Sequence, residues 1–272
     1  MRVSLIQAPY HLGRADVGLG AGVPLLAEAM SDLAKAVRLE CEPAGRNEIA
    51  ASMDVVAALA LRVREAFEEG AFPLVLAGNC NSSLGTVTGV GAGGLGVVWL
   101  DAHGDFNTPA TTRSGFFDGL SLAMLTGEGF DALREGCATV GQEHVVHVGG
   151  RDLDHEEELR LDASRIARVR PGEALEPALD ELAERTRRVY VHVDLDVLDP
   201  SEGRANRFAA DGGLTVDDVL HAVDAVADRL PIVAAALTAY EPGCDPERRI
   251  PPAAARIART IVRAGDRAGA RS

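Results

Sequence analysis

The stretch Val97-Val98-Trp99-Leu100-Asp101-Ala102-His103-Gly104-Asp105 decides the fold of this chain and also indicates its chemistry. Four apolar residues lead into three metal-binding side chains, placed at every second position. In extended backbone, side chains two residues apart point to the same face, so Asp101, His103 and Asp105 are expected to converge beyond the strand end. The stretch therefore predicts a buried strand that carries half of a metal site.

A second apolar stretch, residues 189–193, is also followed by metal-binding side chains at every second position, Asp194 and Asp196. One such Asp pair is more typical of a solvated turn or a helix cap. Two of them bring four carboxylates together, and these would repel one another unless divalent cations lay among them. His192 shares a strand face with Asp194 and Asp196, which favours a hydrogen-bonding role beside the site over a role as a substitute acid.

Short apolar stretches alternate with helical patterns along the chain, which predicts a single α/β domain over residues 1–272 with a doubly wound parallel sheet. The predicted strands are 3–8, 74–77, 97–100, 145–148, 189–193 and 232–237. The predicted helices are 24–37, 50–69, 119–125, 174–187, 216–228 and 251–262. Thr215 and Asp218 have the spacing of a capping box at one helix start. Ligands bind beyond the carboxyl ends of such strands, where residues 78–81, 101–105, 151–154, 194–196 and 241 all fall.

Composition limits the class of partner. The formal net charge of −14 disfavours nucleic acid and anionic membranes, which reward a basic surface. Four cysteines without a CxxC pair make a disulfide framework unlikely, and no apolar stretch is long enough to span a membrane. We therefore expect a cytoplasmic protein with a small-molecule partner.

These motifs resemble those of the ureohydrolases, the superfamily of binuclear manganese hydrolases that includes arginases and agmatinases. The family's DAHxD motif stands here at residues 101–105 and its DxDxxDP motif at residues 194–200. The segment 107–115, with Asn107 and Ser114, is similar to the arginase branch. The resemblance implies a three-layer αβα fold, two Mn²⁺ ions, hydrolysis of a guanidine C–N bond and possible assembly into a homo-oligomer. The metal ligands that it implies are Asp101, His103, Asp105, Asp194, Asp196 and a sixth residue.

The resemblance also implies how a substrate is held. Asn107 and Ser114 are expected to bind an α-carboxylate, and Asp154 is expected to face an α-amino group. Glu241 is expected to face the guanidinium and, with Asp105, to count among the catalytic residues.

Two positions depart from the family pattern. Cys80 stands where the family has a histidine ligand, which makes a thiol the sixth ligand and makes zinc, iron or cobalt alternatives to manganese. Asp118 stands where arginases have a histidine proton shuttle. It is predicted either to replace that acid, to support the metal ligands or to be a plain structural acid. Phe116 also replaces a polar residue of the carboxylate pocket.

With Cys80 and Asp118 at these two positions, the chain resembles the Nω-hydroxy-L-arginine hydrolases, which release hydroxyurea and ornithine. A hydroxyguanidine is much less basic than a guanidinium, whose pKa exceeds ~12, and so can bind in its neutral form. L-Arginine, another guanidino or formimidoyl acid, and agmatine stay open as substrates. A catalytically silent relative that binds metal and an arginine-like ligand is a further alternative.

Overall fold

A computed structural model describes residues 1–44 and 47–269, and its centre is an eight-stranded parallel sheet. The strands of this sheet are β1 (Val3–Ala8), β4 (Val37–Arg38), β5 (Phe72–Ala77), β6 (Leu95–Leu100), β7 (Val145–Val148), β8 (Ala167–Val169), β9 (Arg188–Asp194) and β10 (Ile232–Thr238). Their spatial order is β4-β1-β5-β10-β9-β6-β7-β8. A small antiparallel hairpin, β2 (Tyr10–His11) and β3 (Arg14–Ala15), lies outside the sheet.

Helices cover both faces of the sheet. They are α1 (Val23–Ala29), α2 (Glu48–Glu68), α3 (Ser82–Val90), α4 (Ser121–Leu125), α5 (His155–Ala163), α6 (Glu176–Arg185), α7 (Val216–Ala227) and α8 (Ile250–Gly269). Alternate strand residues enter two different cores: Leu74 and Leu76 pack in the core with α1, α7 and α8, whereas Val75 and Ala77 pack in the core with α2 and α3. This is the expected three-layer αβα arrangement, and it confirms the predicted fold class.

The predicted strand positions are confirmed, with ends that differ by at most two residues. The capping box of α7 is also present, since Thr215 and Asp218 exchange side-chain and backbone hydrogen bonds. Within residues 1–44 and 47–269, no helix has the length and apolar character needed to cross a membrane.

The predicted helix 24–37 is wrong in its second half. Helix α1 ends at Ala29, and Val37 pairs with Ile6 as part of the edge strand β4. Ser31 and Asp32 explain the early end, because short polar side chains compete for backbone hydrogen bonds inside a helix. The last helix is longer than predicted and extends to Gly269.

Two helices and several short strands were not predicted. The α3 segment carries Gly85, Gly89 and several β-branched residues, which favour a helix poorly. It is helical because it packs closely on α2: a Cβ at Gly85 would lie 2.7 Å from the carbonyl oxygen of Val56. Tertiary packing therefore overrides local propensity here.

Candidate metal centre

The predicted site residues lie at the carboxyl edge of five neighbouring strands, β5, β10, β9, β6 and β7. Beyond this edge is a cavity of about 330 Å³. The predicted metal and substrate residues that line it are Cys80, His103, Asp105, Asn107, Ser114, Asp118, Asp154, Asp194 and Asp196. Parallel strands ending at one edge bring these distant segments together.

Side chains of the two Asp-containing motifs lie within a few ångströms of one another. Nδ1 of His103 is 3.4 Å from Oδ1 of Asp101 and 3.4 Å from Oδ2 of Asp196. The thiol of Cys80 donates to Oδ2 of Asp194 at 3.0 Å. Ligand atoms of Asp101, His103 and Asp196 lie close enough together to share one metal ion.

Mutual repulsion and burial mark this cluster as one that needs cations. Burial raises the pKa of Asp101 to about 6, and burial also raises the pKa of Asp105 and Asp194 well above the usual range. Burial alone would lower the pKa of His103, but the carboxylates of Asp196 and Asp101 outweigh it and raise that pKa well above its ordinary value. Without a metal, the imidazolium of His103 offsets part of the negative charge of these two carboxylates.

Asp105 tests whether a metal fits these residues. Its backbone is left-handed, with φ of 47°, which turns the side chain back into the cluster. Among the described residues nothing hydrogen-bonds to its buried Oδ2. A buried carboxylate oxygen without a partner is costly, and a divalent cation would satisfy it. The residues therefore fit a divalent cation.

Cys80 lies on the turn between β5 and α3, with 3% of its surface exposed. Burial, followed by the negative charge of Asp194, raises the pKa of the thiol well above its ordinary value. In the metal-free chain the sulfur therefore keeps its proton, and a bound cation would favour the thiolate. The structure places Cys80 among the acids, as its register in the sequence predicts.

Asp118 supports the turn that carries Cys80. Its Oδ2 accepts hydrogen bonds from Nδ2 of Asn79 at 2.6 Å and from the backbone N–H of Cys80 at 3.1 Å. Its Oδ1 accepts from the backbone N–H of Asn81 at 2.9 Å. The proton-donor role of Asp118 stays a prediction, and the occupied oxygens favour its alternative role as a support for a metal ligand.

The residues expected to bind the amino-acid end of a substrate all line the metal cavity. Asn107 is held by the hydroxyl of Thr111, which donates to its Oδ1 at 2.9 Å. Ser114 accepts from the backbone N–H of Phe116 at 3.1 Å. Asp154 precedes α5, and within the described part of the chain its carboxylate caps no backbone N–H, which leaves it available to a ligand.

Glu241 is placed differently from the other predicted residues. It follows β10, but it lines a neighbouring cavity and not the metal cavity. The guanidinium of Arg207 binds both of its carboxylate oxygens, with Nε 2.9 Å from Oε2. The expectation that Glu241 faces a substrate guanidinium stays a prediction, and in this structure an arginine of the chain itself takes that place.

Several residues at the site were missed by sequence reasoning. Glu157 on α5 lines the cavity, and its Oε1 accepts from the backbone N–H of Phe106 at 2.8 Å. Burial raises the pKa of Glu157 to about 7. Asn206 donates to Oδ2 of Asp196 at 2.9 Å. His147 contacts the carbonyl of His103 through Nε2 at 2.7 Å. Glu157 is one of three consecutive glutamates in the first turn of an unpredicted helix, so the sequence does not single it out.

His192 takes a supporting position, as the sequence favours. Its ring stacks on Trp99 with centroids 3.7 Å apart, and its Nδ1 is 3.0 Å from the hydroxyl of Tyr190. Burial lowers its pKa to about 3. A fully buried, neutral imidazole with these neighbours does not act as an acid toward the cavity. Trp99 in turn donates its indole N–H to Oδ2 of Asp101 at 3.0 Å.

Comparison with known proteins shows the family of this chain. The sequence model of the arginase family matches residues 2–263. The chain belongs to the arginase family. Arginase of Bacillus caldovelox is 31% identical over 274 residues, which cover 89% of this chain and 92% of that protein. Arginase of Bacillus subtilis strain 168 is 30% identical over 288 residues, covering 96% and 97%.

Solved structures show that this arginase-family chain also shares the family's fold. The crystal structure of arginase from Bacillus subtilis superposes with a TM-score of 0.84 at 28% identity, covering 96% of this chain and 98% of that chain. Proclavaminate amidino hydrolase from Streptomyces clavuligerus, at 22% identity and a TM-score of 0.75, shares the fold. The chain is therefore a ureohydrolase, a metal-dependent hydrolase of arginine-like guanidino compounds.

Proposed function

We propose that this arginase-family chain hydrolyses Nω-hydroxy-L-arginine to L-ornithine and hydroxyurea, using two divalent cations. The observation that carries the proposal is the buried thiol of Cys80 in the metal cavity, 3.0 Å from Asp194. A thiolate adds negative charge where the family resemblance implies a neutral imidazole. The absence of a histidine at residue 118 supports the same conclusion.

The proposed ligands are the six side chains gathered at the sheet edge, Cys80, Asp101, His103, Asp105, Asp194 and Asp196. Hard carboxylates suit Mn²⁺, whereas the soft sulfur favours zinc, iron or cobalt, so these are the candidate metals. When bound, the cations supply Lewis acidity toward the amidine and lower the pKa of water.

The residues of the chain bind and orient the substrate. Asn107 and Ser114 are proposed to hold the α-carboxylate, and Asp154 the α-amino group. All three side chains line the cavity that also contains the proposed ligands Cys80, His103, Asp105, Asp194 and Asp196, which supports this proposal. Asp105 is proposed to bind a cation through its otherwise unpaired Oδ2 and so to belong to the catalytic centre.

A hydroxyguanidine suits this site because it is less basic than a guanidinium. A neutral head group avoids repulsion from two nearby cations, and its hydroxyl oxygen is a hard donor. L-Arginine is the second candidate, favoured by relatives of 30–31% identity that are named arginases.

The deciding measurement compares kcat/KM for Nω-hydroxy-L-arginine and L-arginine on manganese-loaded protein. We expect a clear preference for the hydroxylated substrate. Agmatine, which lacks the α-carboxylate, should react poorly because Asn107 and Ser114 would have no partner. A clear preference for arginine would overturn the proposal, and ligand binding without release of urea or hydroxyurea would favour a catalytically silent protein.

Ligation by sulfur needs a separate readout. A cobalt-substituted wild-type protein should show a thiolate-to-cobalt absorption band that Cys80→Ser loses. Cys244→Ser is the matched control, since Cys244 is a half-buried cysteine that does not line the metal cavity. A band that survives in Cys80→Ser would remove sulfur from the ligand set.

A further inference from the structure

Arg207 forms a bidentate ion pair with Glu241. Its Nε donates to Oε2 at 2.9 Å and its second terminal nitrogen donates to Oε1. The thiol of Cys244 lies 3.6 Å from Oε2 as a further donor. Both oxygens of Glu241 are thus occupied, and the group that occupies them is a guanidinium, the head group of arginine itself.

Two phenyl rings border both the metal cavity and the cavity that holds this pair. Phe116 and Phe208 have ring centroids 5.6 Å apart. Both rings line the metal cavity and also a side cavity of about 300 Å³ that contains Arg207 and Glu241. Glu241 therefore lies in a cavity that shares lining residues with the metal cavity, and Arg207 binds both of its oxygens.

We propose that Arg207 is a specificity-determining residue, which pairs with Glu241 and so occupies the negative charge that the family resemblance assigns to the substrate head group. A cationic guanidinium placed beside two divalent cations needs a nearby carboxylate to offset the repulsion. A neutral hydroxyguanidine does not. The inference rests on the proposed function and adds the residue by which the protein discriminates between a guanidinium and a hydroxyguanidine.

The pairing is suited to this role by its geometry. A planar guanidinium binds both carboxylate oxygens at once, whereas a lysine ammonium offers a single point of charge. Glu241 has 13% of its side chain exposed and Arg207 has 64%. Removal of the Arg207 side chain should therefore free the carboxylate without disturbing the core.

The test uses full-length, metal-loaded Arg207→Ala, with Arg204→Ala as matched control. Arg204 is an exposed arginine on the same loop, so its removal changes the net charge equally. We expect Arg207→Ala to raise the ratio of kcat/KM for arginine over hydroxyarginine by about fivefold or more, as suits the loss of an exposed ion pair. Arg204→Ala should leave the ratio within about twofold of wild type, and Arg207→Lys should lie between them.

Binding gives a second readout that does not depend on turnover. L-Arginine should bind Arg207→Ala more tightly than wild type in calorimetry, and the gain should vanish in Arg207→Ala combined with Glu241→Gln. An unchanged arginine affinity and an unchanged substrate ratio in a folded Arg207→Ala protein would overturn the inference. Failure of wild type to release hydroxyurea overturns the proposed function alone, because the change in arginine affinity still reports on Arg207.

Discussion

Asp118 lies at the metal cavity, where the family resemblance predicts a proton donor, but its carboxylate serves as a hydrogen-bond acceptor. In the sequence it is a candidate acid, because arginases carry a histidine there. In the structure its carboxylate is the acceptor for donors from three successive residues, Asn79, Cys80 and Asn81. Only a group with several acceptor lone pairs can hold such a turn, and a carboxylate has them.

Asp118→Asn should therefore destabilise the protein. The new amide group turns one acceptor into a donor and faces N–H groups that need an acceptor, which we expect to cost about 1–3 kcal/mol of unfolding free energy. Urea unfolding measures this cost. The exposed Asp211→Asn is the control and should change stability little. A variant of full stability whose kcat collapses would instead support a proton-donor role for Asp118.

Secondary structure elements differ in how well they can be predicted from their own sequence. The α7 segment was predicted with its cap, because Thr215, Asp218 and an apolar stripe agree with one another. The α3 segment was missed, because its glycines matter for contact with α2 and not for helix formation. Local patterns predicted the six strands of four residues or more, whereas the shorter strands and the elements set by packing against a neighbour could not be predicted from the sequence.

Thr215→Ala should weaken the start of α7. The hydroxyl accepts the backbone N–H of Asp218 at 3.1 Å, and the carboxylate of Asp218 accepts the backbone N–H of Thr215 in return. Loss of such a cap costs about 1 kcal/mol. Thermal or urea unfolding checks this, with Thr215→Ser expected to stay close to wild type. Equal stability of the alanine variant would show that tertiary packing alone fixes this helix start.

At the scale of the whole molecule, the site depends on residues that motif reading could not reach. The six proposed ligands stand in ordered motifs, so their gathering was predicted. Arg207 and Phe208 lie in a loop without regular spacing, and only the fold shows that Phe208 lines the metal cavity and that both residues line its neighbour. The ion pair of Glu241 with Arg207 therefore could not be predicted from the sequence, because its two residues are 34 positions apart.

Metal and pH should act together on the stability of the whole chain. In the metal-free protein the pKa of Asp101 is about 6 and that of Glu157 about 7, both above their ordinary values. Protonation of these groups stabilises the fold, and this stabilisation is lost as the pH rises through 6 and 7. Chelation should therefore lower Tm more at pH 8 than at pH 6.

Calorimetric unfolding with excess Mn²⁺ and after chelation, at both pH values, measures this difference. Glu157→Gln should make the fall in Tm on chelation more similar at the two pH values, because it removes one of the two acids whose pKa is raised. If Tm were the same with excess Mn²⁺ and after chelation at both pH values, the proposed metal site would be contradicted.

Trp99 gives the protein an internal optical reporter. It is the only tryptophan in the chain, it is fully buried against His192, and its indole N–H is bonded to Asp101. Ion capture by Asp101 changes the charge beside this one fluorophore. Emission intensity and wavelength should then follow occupancy of the centre directly, in unlabelled protein and without any substrate.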